Sequence, residues 1–588
     1  MLTRNGVVQL CGAGIRMMAV AAAVAACALG QTPTAQQKKP RQEIDRRVPA
    51  RSAPAKPNLV VMLVVDQMRA DYVDKFKDQW SGGLKRLVEE GAWFRNAAYP
   101  YAATETCVGH STISTGAFPT THGMVANAWW DRETQKTVTC TADPNVKNEG
   151  YAGATVKGGD SAWRMLVPAF AEELKFQSGG ATRVVAFSLK ARAAVTMAGH
   201  HGEGATWFDA EAGAWATSSA YETLPFVEEY AKAHPAREDY GKTWALSLPR
   251  SAYLYDEQAK GAAVPSGANP TFPHALRGKS GGPEPDALFY EEWQASPFAD
   301  TALTHLAEAA VDALALGQRS GADYLSVSYS SPDYVGHAFG PRSWEIQDVL
   351  ARLDKDLAEL FTHLDKKVGR GNYVVALSAD HGVVPIPEDM QQTGADAGRL
   401  RLAEVQQNVE KALGAFNYPQ PVIARITGSD IYFAPGIYER LESDASAMKA
   451  VFNAIEAVPG VEGVYRAEDL SDRPATHNPL REAMADSYIA GRSGDLFVVP
   501  KPYWLLDFGA PGQARYGTGH GTPWNYDQHV PLLLMGFGIR PGEYYGAVTP
   551  ADIAPTLASL CGITLTARDG HVLGEALSTA SARKNGKD

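Results

Sequence analysis

The segment NLVVMLVVD, residues 58–66, is apolar without interruption from Leu59 to Val65 and ends in the carboxylate of Asp66. A strand buried on one face alternates apolar and polar residues, whereas a strand covered on both faces is a continuous β-branched run. The segment therefore predicts a central strand of a sheet that is covered on both sides. Asp66 is expected at the carboxyl-terminal edge of that sheet.

Similar short runs recur along the chain, and several of them also end in polar residues. They are residues 182–188 (TRVVAFS), 324–333 (YLSVSYSSPD), 373–380 (YVVALSAD) and 529–536 (HVPLLLMG). Between them lie helical patterns such as residues 343–364, in which apolar residues recur every three or four positions. This alternation predicts an α/β fold with a mainly parallel central sheet flanked by helices. Such sheets place ligands at the carboxyl ends of their strands.

Residues 385–503 interrupt the alternation. They contain a short helical pattern, the strand-like segment VIARITGSDIYFA at 422–434, another helical pattern near 445–457, and Pro-rich loops. We expect an inserted cap region here. It separates a first part of the core, residues 58–384, from a second part, residues 504–575, which a tail of residues 576–588 follows.

The N-terminal residues 1–30 have the pattern of a signal peptide, because Arg4 and Arg16 precede an apolar run too short to span a bilayer. Residues 31–57 lack apolar periodicity and predict a flexible linker. We therefore expect an exported protein, periplasmic or secreted. The sequence VAAC, ending at Cys27, also resembles a lipoprotein-processing box. Lipidation of Cys27 would add a membrane tether, and the sequence leaves the two forms of processing open.

Five cysteines occur, and two of them lie in the predicted leader. An exported protein can form a disulfide, and Cys107 with Cys140 is one pairing, but buried thiols account for the sequence equally well. The formal net charge of −11 argues against a general basic surface that would bind nucleic acid. The sequence does not indicate the oligomeric state.

Asp and His residues follow several of the predicted strands. Each alone could cap a helix or lie in a turn. A divalent metal site needs imidazoles and carboxylates that converge from separate segments, because no single segment can surround an ion. The sequence offers such a set, which is Asp66, Asp333, His337, Asp380, His381 and His520.

The order and spacing of these motifs resemble the alkaline phosphatase superfamily, in the branch of type I phosphodiesterases, nucleotide pyrophosphatases and bacterial alkaline phosphatases with a Thr nucleophile. The resemblance covers most of residues 58–565. It implies an alkaline phosphatase-like core with two metal ions, usually zinc. One metal would be held by Asp66, Asp380 and His381, and the other by Asp333, His337 and His520.

The same resemblance places the nucleophile in the segment TETCVGHSTISTG, three residues before a Gly-His pair, which selects Thr106. Coordination to a dication favours the alkoxide of a hydroxyl, and a helix N-terminus adds positive potential for a phosphoryl group. Thr104, Ser111 and Thr112 are alternatives in neighbouring registers.

Three further residues match positions that contact phosphoryl oxygens in relatives. Asn127 matches an Asn found in many members of the branch, and Lys190 with Arg192 matches a Lys-x-Arg pair of its monoesterases. A monoester dianion has more charge to neutralise than a diester, and Lys and Arg supply that charge. We therefore expect an alkaline phosphatase that acts on small phosphate monoesters through a phosphothreonine intermediate.

Three other functions are weighed against this expectation. A nucleotide phosphodiesterase or pyrophosphatase would use the same metals and Thr106 but would need Lys190 and Arg192 less. A non-catalytic metal- or phosphate-binding protein on the same scaffold would be expected to have lost a ligand or the nucleophile, and all seven positions are filled. A sulfatase is disfavoured, because the sequence CVGHS at Cys107 lacks the context from which formylglycine is made.

Overall fold

The structure is a computed structural model that describes residues 56–264, 269–279, 282, 284–471, 478–509 and 516–578. The predicted signal peptide, the predicted linker up to residue 55, and the predicted tail beyond residue 578 lie outside the described residues. All of the described residues belong to one compact unit, residues 54–588.

Strands and helices alternate through most of the described chain. The strands are β1 (Leu59–Val65), β2 (Ala92–Ala97), β3 (Ala128–Asp131), β4 (Lys136–Thr139), β5 (Asn148–Gly150), β6 (Val184–Ser188), β7 (Gly204–Asp209), β8 (Ala214–Ser218), β9 (Thr243–Trp244), β10 (His274–Ala275), β11 (Asp323–Tyr329), β12 (Tyr373–Ser378), β13 (Gly398–Arg401), β14 (Ile423–Thr427), β15 (Asp430–Phe433), β16 (Val461–Arg466), β17 (Leu496–Pro500), β18 (Trp504–Asp507), β19 (Leu532–Gly536) and β20 (Gly542–Val548).

The α-helices are α1 (Asp71–Phe76), α2 (Gly83–Glu90), α3 (Thr106–Thr115), α4 (Pro119–His122), α5 (Phe170–Gln177), α6 (Ala191–Ala198), α7 (Pro225–Ala233), α8 (Ala287–Gln294), α9 (Pro297–Ala313), α10 (Ser331–Phe339), α11 (Trp344–Leu364), α12 (Pro387–Gln392), α13 (Leu402–Gly414), α14 (Ile437–Glu442), α15 (Ala445–Glu456), α16 (Ala467–Ser471), α17 (Pro479–Ser487), α18 (Asn525–Gln528) and α19 (Ile553–Cys561). In the described part of the chain, no helix is both long and apolar enough to cross a membrane.

A ten-stranded sheet forms the centre of the fold, in the order β20-β2-β19-β12-β1-β11-β6-β7-β8-β5. Strand β1 lies between β11 and β12, and it is parallel to both. Every residue of β1 is buried, because helices cover both faces of the sheet and leave no polar face along the strand. The predicted α/β class with a mainly parallel sheet is confirmed. Strand β19 differs, since it runs antiparallel to β12 and β2.

Apolar side chains pack against the two faces of this sheet in two clusters. Alternate residues of β1 divide between them: Leu59, Val61, Leu63 and Val65 lie in one, and Val60, Met62 and Val64 lie in the other. Helix α11 occupies residues 344–364, within the segment where the sequence predicts a helix. Its apolar residues join the first cluster.

A second, four-stranded sheet with the order β14-β15-β17-β16 lies within residues 385–503. The segment 422–434 forms two strands joined by a tight turn at Gly428, so its strand-like pattern contained a hairpin. Helices α13 and α15 pack with this sheet around a separate apolar cluster. Strand β13, inside the predicted cap, pairs with β18, which begins at Trp504 just beyond it. This pairing crosses the predicted boundary at residue 503, so the boundary stays a prediction.

Candidate active site

Three aspartates meet where β1, β11 and β12 end. Asp66 follows β1 directly, and its N–H donates to the Tyr329 carbonyl at the end of β11 over 2.9 Å. Asp333 lies in the first turn of α10, which starts two residues after β11. Asp380 follows β12 by two residues. Because the three strands are parallel neighbours, their carboxylates lie at one edge of the sheet, as predicted.

The structure brings the six predicted metal ligands together in two groups, Asp66 with Asp380 and His381, and Asp333 with His337 and His520, each with its ligand atoms within 4.8 Å of one another. In the first group, His381 Nε2 lies 3.6 Å from Asp66 Oδ1 and 3.4 Å from Asp380 Oδ2. In the second group, Asp333 Oδ1 lies 3.2 Å from His337 Nε2 and 3.9 Å from His520 Nε2.

Each of the three histidines presents Nε2 to the site because its Nδ1 donates to a main-chain carbonyl. The acceptors are Gly382 for His381 at 2.9 Å, Thr518 for His337 at 2.9 Å, and Thr104 for His520 at 2.8 Å. A hydrogen bond at Nδ1 fixes the tautomer and leaves the Nε2 lone pair free, as metal-binding histidines require.

The two groups fit cations. Asp66 Oδ1 is buried and has no hydrogen-bond partner in the described part of the chain. Asp380 Oδ2 is also buried, and it lies 3.2 Å from His110 Nδ1, whose closer acceptor is the Thr106 carbonyl. Buried carboxylate oxygens are costly unless a positive charge compensates them. A set of mixed imidazole and carboxylate donors suits zinc and other divalent transition metals.

Lys190 lies between the two groups. Its Nζ donates to Asp66 Oδ2 over 2.6 Å and to Asp333 Oδ2 over 2.5 Å, and its side chain is buried. Burial acts against the charge of Lys190, but Asp333 and Asp66 outweigh it and raise the pKa above its ordinary value. The ammonium therefore balances part of the negative charge that the carboxylates bring into the site.

Burial and neighbouring groups shift the pKa values of two of these residues in opposite directions. Burial and the neighbouring Asp380 raise the pKa of Asp66 well above its ordinary value. Burial and the rings of His381 and His337 lower the pKa of His520 well below its ordinary value. His520 is therefore neutral near pH 7, which is the form that binds metal.

Thr106 is the first residue of α3 and is fully buried. Its Oγ1 lies 3.5 Å from His381 Nε2 and 3.4 Å from Arg192 Nη2. Helix α3 can lie this close to Asp380 because residue 109 is glycine. A Cβ at residue 109 would lie 2.0 Å from the Asp380 carbonyl oxygen.

The alternative hydroxyls are engaged elsewhere. Thr104 Oγ1 donates to the Thr522 carbonyl, and Ser111 Oγ donates to the Cys107 carbonyl. Thr112 Oγ1 is paired with Tyr101 Oη at 2.8 Å. Of the hydroxyls considered, the geometry thus favours Thr106.

Asn127 is held against the N-terminus of α3. Its Oδ1 accepts the Cys107 N–H over 2.8 Å, which directs the amide nitrogen of Asn127 away from that contact. The N–H of Asn127 donates to Glu105 Oε2 over 2.6 Å. Cys107 also forms a disulfide with Cys140, so the pairing that the sequence left open is present.

A cavity of about 340 Å³ opens onto these groups. Asn127, Arg192, His337 and His520 line it together with Thr427 of the four-stranded sheet. Substrate recognition can therefore draw on both the core and residues 385–503.

Sequence reasoning did not find Glu105 or Gln67. Glu105 holds Asn127, and Gln67 contacts one aspartate from each metal group. Glu105 precedes Thr106 and Gln67 follows Asp66, but neither position has a composition or spacing signal that distinguishes it. His110, the histidine of the Gly-His pair, donates from Nδ1 to the Thr106 carbonyl over 2.9 Å.

The chain is similar to known proteins of one family. The family model described as type I phosphodiesterase / nucleotide pyrophosphatase matches residues 60–523. Alkaline phosphatase PhoV of Synechococcus elongatus is 33% identical over 524 residues, 87% of this chain and 90% of the relative. Alkaline phosphatase PafA of Elizabethkingia meningoseptica is also 33% identical over 524 residues, 87% of this chain and 93% of the relative.

The crystal structure of wild-type alkaline phosphatase PafA matches this fold with a TM-score of 0.81 and 31% sequence identity. The match covers 90% of this chain and all of the solved one. The chain therefore belongs to the type I phosphodiesterase / nucleotide pyrophosphatase family of the alkaline phosphatase superfamily.

Proposed function

We propose that this protein is an exported alkaline phosphatase that hydrolyses phosphate monoesters through a phosphothreonine intermediate at a site for two zinc ions. The observation that carries the proposal is the contact between the Arg192 guanidinium and Thr106 Oγ1, at 3.4 Å. It puts a fixed cation beside the hydroxyl at which a phosphoryl group would bind. The names of the relatives PhoV and PafA support the same activity.

In the first displacement, Thr106 Oγ1 forms a bond to phosphorus and the bond from phosphorus to the leaving alcohol breaks. In the second, water attacks the phosphothreonine, which releases inorganic phosphate and restores Thr106. Arg192 and the amide of Asn127 hold non-bridging oxygens, where the charge of a loose transition state accumulates. Zinc ions held by the two Asp and His groups supply Lewis-acid charge when bound.

Lys190 supplies the second positive side chain of the site. A phosphate monoester carries two negative charges where a diester carries one, so the Lys190 and Arg192 pair favours the monoester. A diesterase built on the same ligands would have less use for this pair.

The test compares kcat/KM for p-nitrophenyl phosphate and bis-p-nitrophenyl phosphate at alkaline pH with zinc. We expect the wild type to prefer the monoester strongly and Lys190→Ala/Arg192→Ala to lose that preference. Thr106→Ala should be inactive. Arg183→Ala is the matched control, because Arg183 lies near the opposite end of the strand that precedes Lys190 and pairs with Glu203.

Other results would point to other functions. A diester preference that the double variant does not change would make the protein a phosphodiesterase. Full activity of Thr106→Ala would remove Thr106 as nucleophile. Metal binding without turnover of either ester would indicate a binding protein.

Zinc, the intermediate and export each have a direct measurement. Elemental analysis of the purified protein should find two zinc ions per chain. Acid quenching during turnover should leave phosphate on the peptide that contains Thr106. Mass spectrometry of the mature N-terminus should show cleavage in the leader, and a lipidated Cys27 would show that the protein is tethered.

A further inference from the structure

Gln67 contacts both metal groups. Its main-chain N–H donates to Asp380 Oδ1 over 3.1 Å, and its side-chain Nε2 donates to Asp333 Oδ1 over 2.5 Å. Asp380 belongs to one group and Asp333 to the other. One residue thus connects the two carboxylates through two separate donors.

The backbone of Gln67 has a conformation that residues other than glycine rarely adopt. Its φ is +67°, in the left-handed region, and its side chain is almost fully buried. In a residue with a long side chain, such a backbone conformation persists only where the surroundings impose it, and such residues are concentrated at functional sites. Here it lets the N–H and the side chain of one residue face different aspartates.

Helix α10 has a glycine, Gly336, where it packs against the Gln67 side chain. Gly336 lies on α10 between Asp333 and His337, and a Cβ at Gly336 would lie 1.8 Å from Gln67 Oε1. The three heavy atoms nearest to that Cβ all belong to Gln67. Glycine inside a helix is destabilising relative to alanine, so its presence here is explained by the close approach of Gln67.

The orientation of the amide follows from the same contacts. Gln67 Oε1 faces Gly336 and has no hydrogen-bond partner in the described residues, while Nε2 faces the carboxylate of Asp333. The reverse orientation would place the amide oxygen against a carboxylate oxygen. The oxygen that Nε2 contacts, Asp333 Oδ1, is also the one that faces His337 Nε2 at 3.2 Å.

We propose that Gln67 is a positioning residue that orients Asp333 for its metal through the side-chain amide and fixes Asp380 through the main chain, with Gly336 as the space it requires. The inference rests on the proposed two-metal site. Hydrogen bonds to metal-ligating side chains typically contribute about 10–100-fold to metal affinity. The side chain of Gln67 should therefore act on the Asp333, His337 and His520 metal and leave the other unchanged.

Two single variants separate the side chain from the main chain. Gln67→Gly accepts the positive φ and keeps the N–H to Asp380, but it removes the amide from Asp333. Gly336→Ala retains every hydrogen-bonding residue and displaces the amide by steric overlap. We expect each variant to weaken one of two zinc sites about 10–100-fold in competition with a chromophoric chelator. In crystals grown at limiting zinc, anomalous scattering should show lower zinc occupancy at the Asp333, His337 and His520 group than at the other group.

The double variant Gln67→Gly/Gly336→Ala provides the internal control. Without the Gln67 side chain the alanine methyl group fits, so the double variant should bind zinc as Gln67→Gly does. Should Gln67→Gly fail to fold, Gly336→Ala carries the same comparison with wild type.

Three outcomes are distinguishable. Wild-type protein that binds no zinc at either group would contradict the proposed function itself. Two intact sites in both single variants, or equal weakening of both sites, would overturn the role of Gln67 alone. Additive losses in the double variant would show that Gly336 acts independently of Gln67, and would also overturn the proposal.

Discussion

Lys190 contacts two aspartates that belong to different metal groups, at 2.6 and 2.5 Å. Its role in binding substrate phosphate stays a prediction. In this structure its ammonium neutralises carboxylates that bound cations would also neutralise. We therefore also expect Lys190 to stabilise the folded protein in the absence of metal.

Replacing Lys190 by methionine should destabilise the metal-free protein more than the zinc-loaded protein. In chelator, Asp66 and Asp333 would remain buried without their cation, and breaking such a buried pair costs roughly 3–5 kcal/mol. Bound zinc would compensate the same charge. Thermal unfolding with chelator and with zinc measures the difference.

Lys232→Met is the control for this prediction. Lys232 forms an exposed pair with Glu228, and exposed pairs contribute little. Equal losses for Lys190→Met with chelator and with zinc would show that zinc does not compensate this charge.

At the residue scale, the sequence predicted side chains whose position depends on strand order. Asp66, Asp333 and Asp380 follow apolar runs, and parallel strands bring such ends together. Gln67 could not be predicted in this way, because its left-handed backbone is imposed by Asp333, Asp380 and Gly336, which are far away in sequence.

At the scale of elements, a disulfide attaches the N-terminus of α3 to the residue that follows β4. Cys107 is next to Thr106, and Cys140 N–H donates to the Asn127 carbonyl over 3.0 Å. The disulfide therefore joins the helix that begins at Thr106 to the segment that carries Asn127.

Replacing both cysteines with alanine should lower the free energy of unfolding. Cys107 and Cys140 are 33 residues apart, and closing a loop of this length contributes about 3–4 kcal/mol in the chain-entropy model. Chemical denaturation of the wild type and the variant measures the loss. With chelator present throughout, dithiothreitol should destabilise the wild type and leave the variant unchanged. A variant as stable as the oxidised wild type would contradict the prediction.

The buried carboxylate of Asp300 on α9 predicts that the stability of the folded protein depends on pH. Asp300 lies next to α10, the helix that carries Asp333 and His337. Asp300 Oδ1 accepts the Ser331 N–H at the start of α10 over 3.3 Å, and burial raises the pKa of Asp300 from 3.8 to about 8. Between these values the folded protein retains a proton that the unfolded chain has lost. Stability from this group is thus present below pH 3.8 and is lost as the pH rises to about 8.

Asp300→Asn should therefore raise the melting temperature relative to wild type, by an amount that grows from pH 5 to pH 8. Asparagine stays neutral and can accept the same Ser331 N–H. Asp356 also has a pKa raised by burial, to about 7, and contributes a parallel slope in both proteins. A melting-temperature difference that does not change with pH would exclude this ionisation.

The elements that the sequence predicted are those with continuous apolar runs or helical periodicity. Strands β1, β6, β11 and β12 and helix α11 lie where expected. The direction of β19 was not predictable, because a buried run has the same composition whether it is parallel or antiparallel to its neighbour. The hairpin of β14 and β15 was hidden in one strand-like segment for a similar reason, since only Gly428 marks its turn.

At the scale of the whole molecule, the predicted metal ligands come from both predicted parts of the core. Asp66, Asp333 and Asp380 belong to the first part, and His520 lies beyond the four-stranded sheet in the second. A cation bound by Asp333, His337 and His520 would therefore join segments that residues 385–503 separate. Metal binding would then contribute to the stability of the whole fold as well as to activity.

Zinc should therefore raise the melting temperature of the wild type progressively with its free concentration, and chelator should remove this stabilisation. A ligand that binds only the folded state contributes about 2.7 kcal/mol per site at a hundred times its dissociation constant. Calorimetry at several zinc concentrations measures the effect. His520→Ala should keep only the part due to the Asp66, Asp380 and His381 group. If the wild type melts at the same temperature with zinc and with chelator, the six side chains are organised without a cation, and zinc does not join the two parts of the core.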